Sequence, residues 1–345
     1  MSDLKINNIT DRTGDSGPVI AGVSTVSSTG AFVVPVGPTE FRGGRGRGVT
    51  AGGYPSINTI NMIEIATTGN ATDFGDLVNG NYELAGCSSS TRGVFLGGAP
   101  DTDLIQYVTV SSGGGASNFG NLYQGTYPWS TGFNDSTRGG CMGGTWPSGS
   151  TNRTNVIHYI TIATTGDSSD FGDLLLNSRR AATCSSPTRS LHFTGRDDSP
   201  GTGRTKIIQY ITTQTKGDAL EFGELSDERD SFAGSFSSTT RGIVGGGNKP
   251  GAISNNIIDY VTIATLGNSL DFGDLITPRI SGSGASSHTR GVFFGGYLWP
   301  SSPRIDYNII DYVEIATTGN AKDFGDLTAL SRLTGSFSDV NGGLG

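Results

Sequence analysis

The sequence predicts an all-β protein, a six-bladed β-propeller, from three observations. First, a segment with the pattern of residues 256–275, NIIDYVTIATLGNSLDFGDL, recurs at residues 59–77, 104–122, 156–174, 207–225 and 309–327. Second, each copy follows an arginine that opens a short apolar run, and these arginines, spaced 45 to 52 residues apart, are Arg47, Arg92, Arg138, Arg189, Arg241 and Arg290. That period is typical of propeller blades. Third, the first repeat lacks its first strand, and an extra copy of that strand follows the last repeat.

Each repeat contains four predicted strands, which we letter a to d. Strand b is the run after the arginine, and paired glycines such as Gly97-Gly98 end it with a sharp exit. Strand c carries apolar residues on both faces, for example Ile105 and Tyr107 on one and Val108 on the other. Blades that pack face to face require such strands. A Thr-Thr-Gly-Asn turn or a close variant leads to strand d, Asp-Phe-Gly-Asp-Leu, and a segment of small residues forms strand a.

The ends of the array predict how the ring closes. No strand a precedes Arg47, whereas residues 333–338 form a strand a that no further blade follows. The last segment therefore completes the first blade, and no inner edge is left exposed. Residues 42–345 are assigned to this propeller.

Residues 1–41 do not match the repeat and are predicted to form a separate N-terminal β arm. Two apolar runs, 17–26 and 30–36, are joined by a Ser-Ser-Thr-Gly segment, which is typical of a hairpin. A lone hairpin is marginally stable in water. We therefore expect the arm to dock on a partner surface or to support a homo-oligomer.

Composition excludes several classes of function. The net charge of -8 disfavours nonspecific binding to nucleic acid or anionic membranes, and the Gly/Arg-rich stretch 42–48 runs directly into a strand. No leader or membrane-spanning run is recognised, so folding in a cytoplasm is expected. Cys87, Cys141 and Cys184 have no metal-ligand spacing and are predicted to be buried small residues. No cofactor, metal or disulfide is expected.

Three recurring features resemble Kelch-type propellers over residues 42–345. They are the glycine pair after strand b, an aromatic residue in strand d, and an arginine before strand a, at Arg179 or Arg180, Arg229, Arg279 and Arg332. The chain departs from that pattern because phenylalanine replaces the usual tryptophan, Gly195-Arg196 replaces one glycine pair, and blades one and two lack the arginine. Separately, residues 6–12, 16–22 and 30–37 are similar to N-terminal segments of tailed-phage virion proteins, including tail-fibre-like ones.

A column of charges runs through the repeats. The arginines that open strand b face an acidic column on strand d, formed by Asp73, Asp170, Glu221, Asp271 and Asp323. The same residues allow ion pairs around the ring or an anion-binding ring, and near-complete pairing favours the ion pairs.

Aromatic residues in variable loops are the candidate ligand-binding residues: Tyr54, Trp129, Trp146, Tyr297 and Trp299. Strand direction places the b–c loops and the d–a connections on one face of the ring, and every tryptophan is there. Variable loops on a rigid scaffold are where recognition is usually found. The alternative is that these rings cap the apolar ends of the blades.

No catalytic residue is assigned, and the chain is expected not to be an enzyme. Asp-Phe-Gly recurs in the blades and is therefore architecture, and no nucleophile elbow or phosphate loop is found. A polysaccharide-degrading propeller would need carboxylates clustered on one face, for which the loops offer only Asp101, Asp103, Asp197, Asp198 and Asp306.

The phage resemblance, together with the aromatic loops, leads to the expected function. It implies a virion protein of the tail-fibre or spike type, assembled in the host cytoplasm, that binds other virion proteins through residues 1–41 and a host-surface glycan or protein through the propeller. The alternative is a structural decoration or adaptor protein whose propeller binds other virion proteins.

Overall fold

The ring expected from the repeats is present in the computed structural model of the protein, which describes residues 46–100, 102–123, 125, 127–145, 152–197 and 203–340. Six four-stranded antiparallel sheets form the blades. The prediction of an all-β, six-bladed propeller is confirmed. The predicted arm, residues 1–41, lies outside the described residues and stays a prediction.

The described residues contain 28 strands. In chain order they are β1 (Arg47–Ala51), β2 (Thr59–Glu64), β3 (Thr72–Asp76), β4 (Ala85–Ser88), β5 (Arg92–Leu96), β6 (Leu104–Thr109), β7 (Ser117–Asn121), β8 (Thr131–Asn134), β9 (Arg138–Met142), β10 (Thr154–Thr161), β11 (Ser169–Ser178), β12 (Ala182–Ser185), β13 (Arg189–Phe193), β14 (Ile207–Thr212), β15 (Leu220–Glu224), β16 (Gly234–Ser237), β17 (Arg241–Gly245), β18 (Asn248–Lys249), β19 (Ile253–Ser254), β20 (Ile257–Thr262), β21 (Leu270–Asp274), β22 (Ser283–Ser286), β23 (Arg290–Phe294), β24 (Tyr297–Leu298), β25 (Ile305–Asp306), β26 (Ile309–Glu314), β27 (Lys322–Asp326) and β28 (Gly335–Ser338). Within this part of the chain, no helix is long and apolar enough to cross a membrane.

Strands a to d follow one another in every blade. From blade one to blade six, the sheets are β28-β1-β2-β3, β4-β5-β6-β7, β8-β9-β10-β11, β12-β13-β14-β15, β16-β17-β20-β21 and β22-β23-β26-β27. Two short hairpins, β18-β19 and β24-β25, lie in the b–c loops of blades five and six. The inner strands of successive blades contact one another, so the strands a surround the axis.

The predicted closure of the ring is also confirmed. Strand β28 pairs with β1 in antiparallel register, with Gly48 opposite Ser338 and Ala51 opposite Gly335. Beyond the strand, Asp339 Oδ1 accepts hydrogen bonds from the backbone N–H of Gly46 and of Arg47, at 3.0 and 2.8 Å. The chain end is therefore an integral part of blade one.

The core lies between neighbouring blades, as the two apolar faces of strand c predict. One cluster joins Val94 and Ile105 of blade two to Cys141 and Ile160 of blade three. Within a blade, the tyrosine of strand c meets the phenylalanine of strand d edge to face, with ring centroids 6.0 Å apart for Tyr107 and Phe119. The same geometry recurs in the four following blades, in the pairs Tyr159–Phe171, Tyr210–Phe222, Tyr260–Phe272 and Tyr312–Phe324. Such pairs are the preferred arrangement of aromatic quadrupoles.

Small residues on the strands a let the blades approach closely at the axis. A Cβ on Gly86 would lie 2.2 Å from the carbonyl oxygen of Ser336, and one on Gly132 would lie 2.0 Å from that of Gly86. Where a hydroxyl replaces the glycine, it bonds across to the preceding blade: Ser336 Oγ of blade one donates to the carbonyl of Gly284 in blade six at 2.7 Å. Lack of room at the axis therefore explains why strand a consists of small residues.

The expected ion pairs between the strand-b arginines and the strand-d acidic column are wrong. Arg92 Nη1 donates instead to the carbonyl of Ile162 in the next blade, at 2.9 Å, while its guanidinium lies 4.4 Å from the ring centroid of Tyr107. Backbone carbonyls of the following blade also bind the other five arginines, Arg47, Arg138, Arg189, Arg241 and Arg290. Strand c separates strand b from strand d by two inter-strand spacings, about 10 Å, which prevents the predicted pairing. These arginines therefore link neighbouring blades.

The cysteine side chains are buried, as predicted for small core residues. Burial raises the pKa of the Cys87 and Cys184 thiols far above the usual range and that of Cys141 to about 12. We expect no reaction of the native protein with a thiol reagent at pH 8, because the thiolate is the reactive form. After unfolding without reductant, titration should find three thiols. Fewer than three would mean that a disulfide forms.

Candidate ligand-binding site

The two faces of the ring differ in what they carry. Residues after the glycine pair of strand b bond to residues before strand a of the same blade, as in the bridge between Tyr82 and Ala99. The same bridge joins Arg179 to Arg196 and Ile280 to Tyr297. In blade four the residues equivalent to the glycine pair are therefore Thr194-Gly195, and the assignment of Gly195-Arg196 was wrong by one residue. The b–c loops and the d–a connections therefore share one face, which we call face one, as strand direction predicted. The arginines that link the blades lie toward the opposite side, face two.

A ring of six left-handed residues surrounds the axis on face one, and we call it the crown. Its members lie two or three residues before the first residue of each strand a, are not glycines, and have φ between 51° and 65°: Glu83, Trp129, Arg180, Ser231, Ser281 and Leu333. Backbone hydrogen bonds pass from one member to the next. The N–H of Glu83 donates to the carbonyl of Leu333 at 2.7 Å, and Leu333 donates in the same way to Ser281. The series continues from Ser281 to Ser231, from Ser231 to Arg180 and from Arg180 to Trp129.

The crown forms a rigid rim around the central cavity of the propeller. A left-handed residue with a side chain costs about 1–2 kcal/mol, and such residues persist only where the surrounding structure determines them. Here the bonds between neighbours hold each backbone in place, so the crown side chains stand at fixed positions. Inside the rim, the strands a enclose a cavity of about 170 Å³ that all six blades line.

Hydroxyl groups line the deeper part of this cavity. Ser237 and Ser286 lie on neighbouring strands a, and each donates its hydroxyl to a carbonyl of the preceding blade, at 2.6 and 2.7 Å. Ser88 donates in the same way to the carbonyl of Ser338, at 2.6 Å. These bonds use the hydroxyls to join blades. Consequently, the side chains that differ in chemistry from blade to blade are those of the crown, at the rim of the cavity.

Two of the predicted ligand-binding residues meet at a single guanidinium on face one. Arg332 Cζ lies 4.5 Å from the ring centroid of Tyr54 and 5.1 Å from that of Tyr297. Arg332 Nη1 also donates to Asp306 Oδ1 at 2.6 Å, which fixes the guanidinium. The Tyr54 ring meets Tyr82 edge to face at 5.4 Å, and Tyr54 is 46% exposed. The result is an aromatic surface that is open to solvent and organised around one buried cation.

Trp129 occupies a different part of the same rim. It is a crown residue, half-buried, and the guanidinium of Arg180, its neighbour in the crown, lies 4.1 Å from its ring centroid. This distance is that of a close cation–π contact. Of the four predicted residues that the structure describes, Trp129 is the one that lines the central cavity.

Trp299 is held by its backbone, and its ring is 36% exposed. Its N–H donates to Ser254 Oγ at 2.7 Å, and its carbonyl accepts from the Ser254 N–H, so it ties the loop of blade six to that of blade five. Across the described residues, no ring contact joins Trp299 to Tyr54 or Tyr297. Trp146 lies outside the described residues.

The carboxylates considered for hydrolysis do not converge in the described structure. Asp306 is paired with Arg332, Asp197 is buried, and Asp103 is exposed at the start of strand c in blade two. Asp101 and Asp198 lie outside the described residues. Among the residues that are described, no group of three or more His, Cys, Asp and Glu side chains is placed to hold a metal ion.

Sequence reasoning found the aromatic residues of the rim but missed the cations between them. Arg332 and Arg180 were assigned only to a repeat pattern, although both contact predicted aromatic residues. The crown has no sequence signal because Glu, Trp, Arg, Ser and Leu occupy the position where a turn usually selects glycine. A search of the loops of face one for aromatic residues and arginines at equivalent places in neighbouring repeats could have found these contacts.

Comparison with known proteins supports the architecture alone. The chain is similar to the solved structure titled "Structure of YjhT", with a TM-score of 0.61 and 10% sequence identity, over 74% of this chain and 87% of that one. At that identity the likeness shows the propeller fold and nothing about the ligand. No family model matches the chain, and no curated protein matches it. The fold thus defines a six-bladed β-propeller whose face one carries the candidate site.

Proposed function

We propose that the protein is a non-catalytic virion protein of the tail-fibre or spike type whose face one binds a host-surface glycan. The observation that carries the proposal is the meeting of Tyr54 and Tyr297 at the fixed guanidinium of Arg332. Flat apolar rings held in place by a buried guanidinium match the face of C–H groups that a sugar presents.

The build of the site favours recognition of an external ligand. Tyrosine presents a large contact area at little conformational cost, and a partly buried ion pair with Asp306 holds the central arginine. The rings stand on b–c loops, which differ between blades, while the sheets below them are repeated. A rigid scaffold that presents variable loops is the usual arrangement of binding proteins.

The virion part of the proposal rests on the resemblance of residues 6–12, 16–22 and 30–37 to tailed-phage proteins. Residues 1–41 would then dock the protein to the particle, and the propeller would contact the host. The Kelch-like pattern fits the same reading, since its glycine pairs, strand-d phenylalanines and pre-strand arginines belong to a propeller that serves as a binding scaffold.

Binding of purified protein to immobilised bacterial surface polysaccharides tests the proposal. We expect the double variant Tyr54→Ala/Tyr297→Ala to bind at least about 30-fold more weakly, because truncating a central aromatic contact costs about 2 kcal/mol or more. Leu266→Ala is the matched control, because it removes an apolar side chain that is 58% exposed on a c–d turn of face two. This variant should bind like the wild type.

The alternative, an adaptor that binds other virion proteins, gives the opposite result. The purified protein would bind no polysaccharide of the panel, and the double variant would fail to enter the particle. Labelling intact particles with antibodies raised against the propeller separates the two cases further: an exposed tail tip supports the proposal, and a buried joint between virion components contradicts it.

A further inference from the structure

Six equivalent positions lie one residue before the crown and face the loops of the neighbouring blades. They are held by backbone bonds to the residue that follows the glycine pair of their own blade, as Arg179 is to Arg196 and Asp230 is to Asn248. The six residues are Tyr82, Pro128, Arg179, Asp230, Ile280 and Arg332. Three of the six carry a charge, so their neighbours can be compared.

Two of the three charged residues have an opposite charge from the preceding blade. Arg332 pairs with Asp306 of blade six, at 2.6 Å. Asp230 pairs with Arg204 of blade four, at 3.3 Å, and also with Arg196. In each case the partner comes from the b–c loop, so this interface between blades normally brings opposite charges together.

Arg179 breaks this rule, because like charges surround it. Arg196 is directly opposite it across the backbone bridge, Arg180 follows it in the chain, and the b–c loop of the preceding blade supplies Arg153. Burial, followed by the charges of Arg180, Arg153 and Arg196, lowers the pKa of Arg179 to about 10. The Nε atoms of Arg179 and Arg180 are buried, and within the described residues neither has a hydrogen-bond partner.

The carboxylates nearby compensate this cluster only in part: burial lowers the pKa of Arg180, and Asp230 and Glu83 oppose that shift. Asp230 is the one carboxylate that raises the pKa of Arg179, and it already accepts from Arg196 and Arg204. Like charges directly opposite each other on neighbouring strands destabilise a sheet. Half-buried guanidinium groups at Arg179 and Arg180, each with an Nε unsatisfied among the described residues and like charges beside it, are therefore costly for the unliganded protein.

We propose that Arg179 and Arg180, with Arg153 beside them, bind the anionic group of an acidic saccharide. Guanidinium groups bind carboxylate, sulfate and phosphate oxygens in a bidentate manner, and these groups are the common charges of acidic glycans. Arg180 also stacks on Trp129 at 4.1 Å, so an aromatic ring adjoins the cations. This inference rests on the proposed function of face one and specifies the class of glycan.

Titration calorimetry with oligosaccharides of defined charge tests the inference. The probes are a sulfated tetrasaccharide derived from heparin, tetragalacturonate, and neutral maltotetraose, each at 50 and 300 mM NaCl. We expect one of the two acidic probes to bind, more weakly at the higher salt concentration because an exposed charge pair is screened. Maltotetraose should bind at least tenfold more weakly than that probe.

The variant Arg179→Gln should weaken binding of the acidic probe about tenfold or more, which is the usual worth of a hydrogen bond to a charged group. Its melting temperature should stay the same or rise, because the substitution removes a like charge. Lys322→Gln removes the same charge from an exposed position on strand d of blade six and should change neither quantity.

A lower melting temperature together with unchanged binding would overturn the inference, because Arg179 would then be a structural residue. Equal binding of the neutral and acidic probes would overturn it as well, while leaving the proposed glycan function intact. If a single-stranded oligonucleotide competes with the acidic probe and binds more tightly, the anion is a nucleic-acid phosphate and the saccharide assignment fails. Failure of the polysaccharide panel with retained Arg179-dependent probe binding would contradict only the host-surface function.

Discussion

Removal of residues 335–345 is expected to lower the melting temperature by about 10 °C or more. The deletion takes away β28, the inner strand of blade one, and leaves the edge of β1 without its partner. It also removes Phe337, whose ring lies 5.1 Å from Phe95 and fills the space above Gly93. Loss of one buried phenylalanine alone costs about 3–5 kcal/mol, which accounts for a shift of this size.

Thermal unfolding followed by circular dichroism measures the effect, and a shorter deletion of residues 341–345 serves as the control. That control retains β28 and Asp339, so its melting temperature should match the wild type. A synthetic peptide of residues 331–345 should raise the melting temperature of the long deletion, because an unpaired β1 edge can accept the strand in trans. An unchanged melting curve for the long deletion would show that β28 does not hold the ring closed.

The strands and the closure were predictable because the repeat supplies several independent readings of one pattern. Ile105 recurs in all the other copies and Tyr107 in all but the first, which has Met62, so the pattern of strand c was observed six times. Closure followed from counting, since an unpaired strand a at one end matched a missing one at the other. Both inferences concern the order of residues along the chain, which repetition makes visible.

Contacts between blades were not predictable in the same way. The arginine column was paired with Asp73 and its equivalents because both columns were placed near one end of the blade. In the structure, Arg47 is opposite Glu64, whereas Asp73 is opposite Asn61, nearer the middle of strand c. The arginine instead donates to a backbone carbonyl of the next blade. Every residue has such a carbonyl, so the sequence does not indicate which one accepts the hydrogen bond.

The pre-strand arginines, treated as one column in the sequence, occupy three positions in the structure, of which Arg180 in the crown is one. Arg179 and Arg332 lie one residue before the crown and face the loops. Arg229 and Arg279 lie one residue earlier and are fully buried. A single-residue offset separates a core position from a rim position here, and the alignment of short repeats could not resolve it.

At the buried position two residues before the crown, the charge of the residue in each blade complements that of the polar residue in the middle of strand c of the same blade. Arginine occurs in the two blades where strand c carries aspartate, as in Arg229–Asp259 and Arg279–Asp311. Neutral pairs occupy the other blades: Ser331 with Asn61, Asn81 with Gln106, Tyr127 with His158, and Ser178 with Gln209. In blade three the two rings lie 4.5 Å apart, and burial lowers the pKa of His158 to about 4, so that pair is also uncharged at neutral pH. In every blade, the two residues of this pair thus have no net charge.

This matching predicts a large loss of stability when one partner is changed alone. Arg279 and Asp311 are almost fully buried, and Arg279 Nη1 donates to Asp311 Oδ2 at 2.7 Å. Arg279→Ser should lower the free energy of unfolding by about 3–5 kcal/mol, because it leaves the Asp311 carboxylate buried without its counter-charge. Urea unfolding measures this loss.

The double variant Arg279→Ser/Asp311→Asn should recover most of the stability, because it reproduces the neutral pair that blade one has at the same two positions, Ser331 and Asn61. The expected coupling between the two substitutions is therefore large and positive, as for residues in direct contact. If the two losses simply add, charge matching does not explain the pairing, and the cavity left by the arginine side chain must account for the loss. Arg290→Gln/Glu314→Gln, which removes an exposed ion pair of 2.9 Å on face two, supplies the comparison for charge coupling. Its two substitutions should show a coupling below about 1 kcal/mol, because solvent screens that pair.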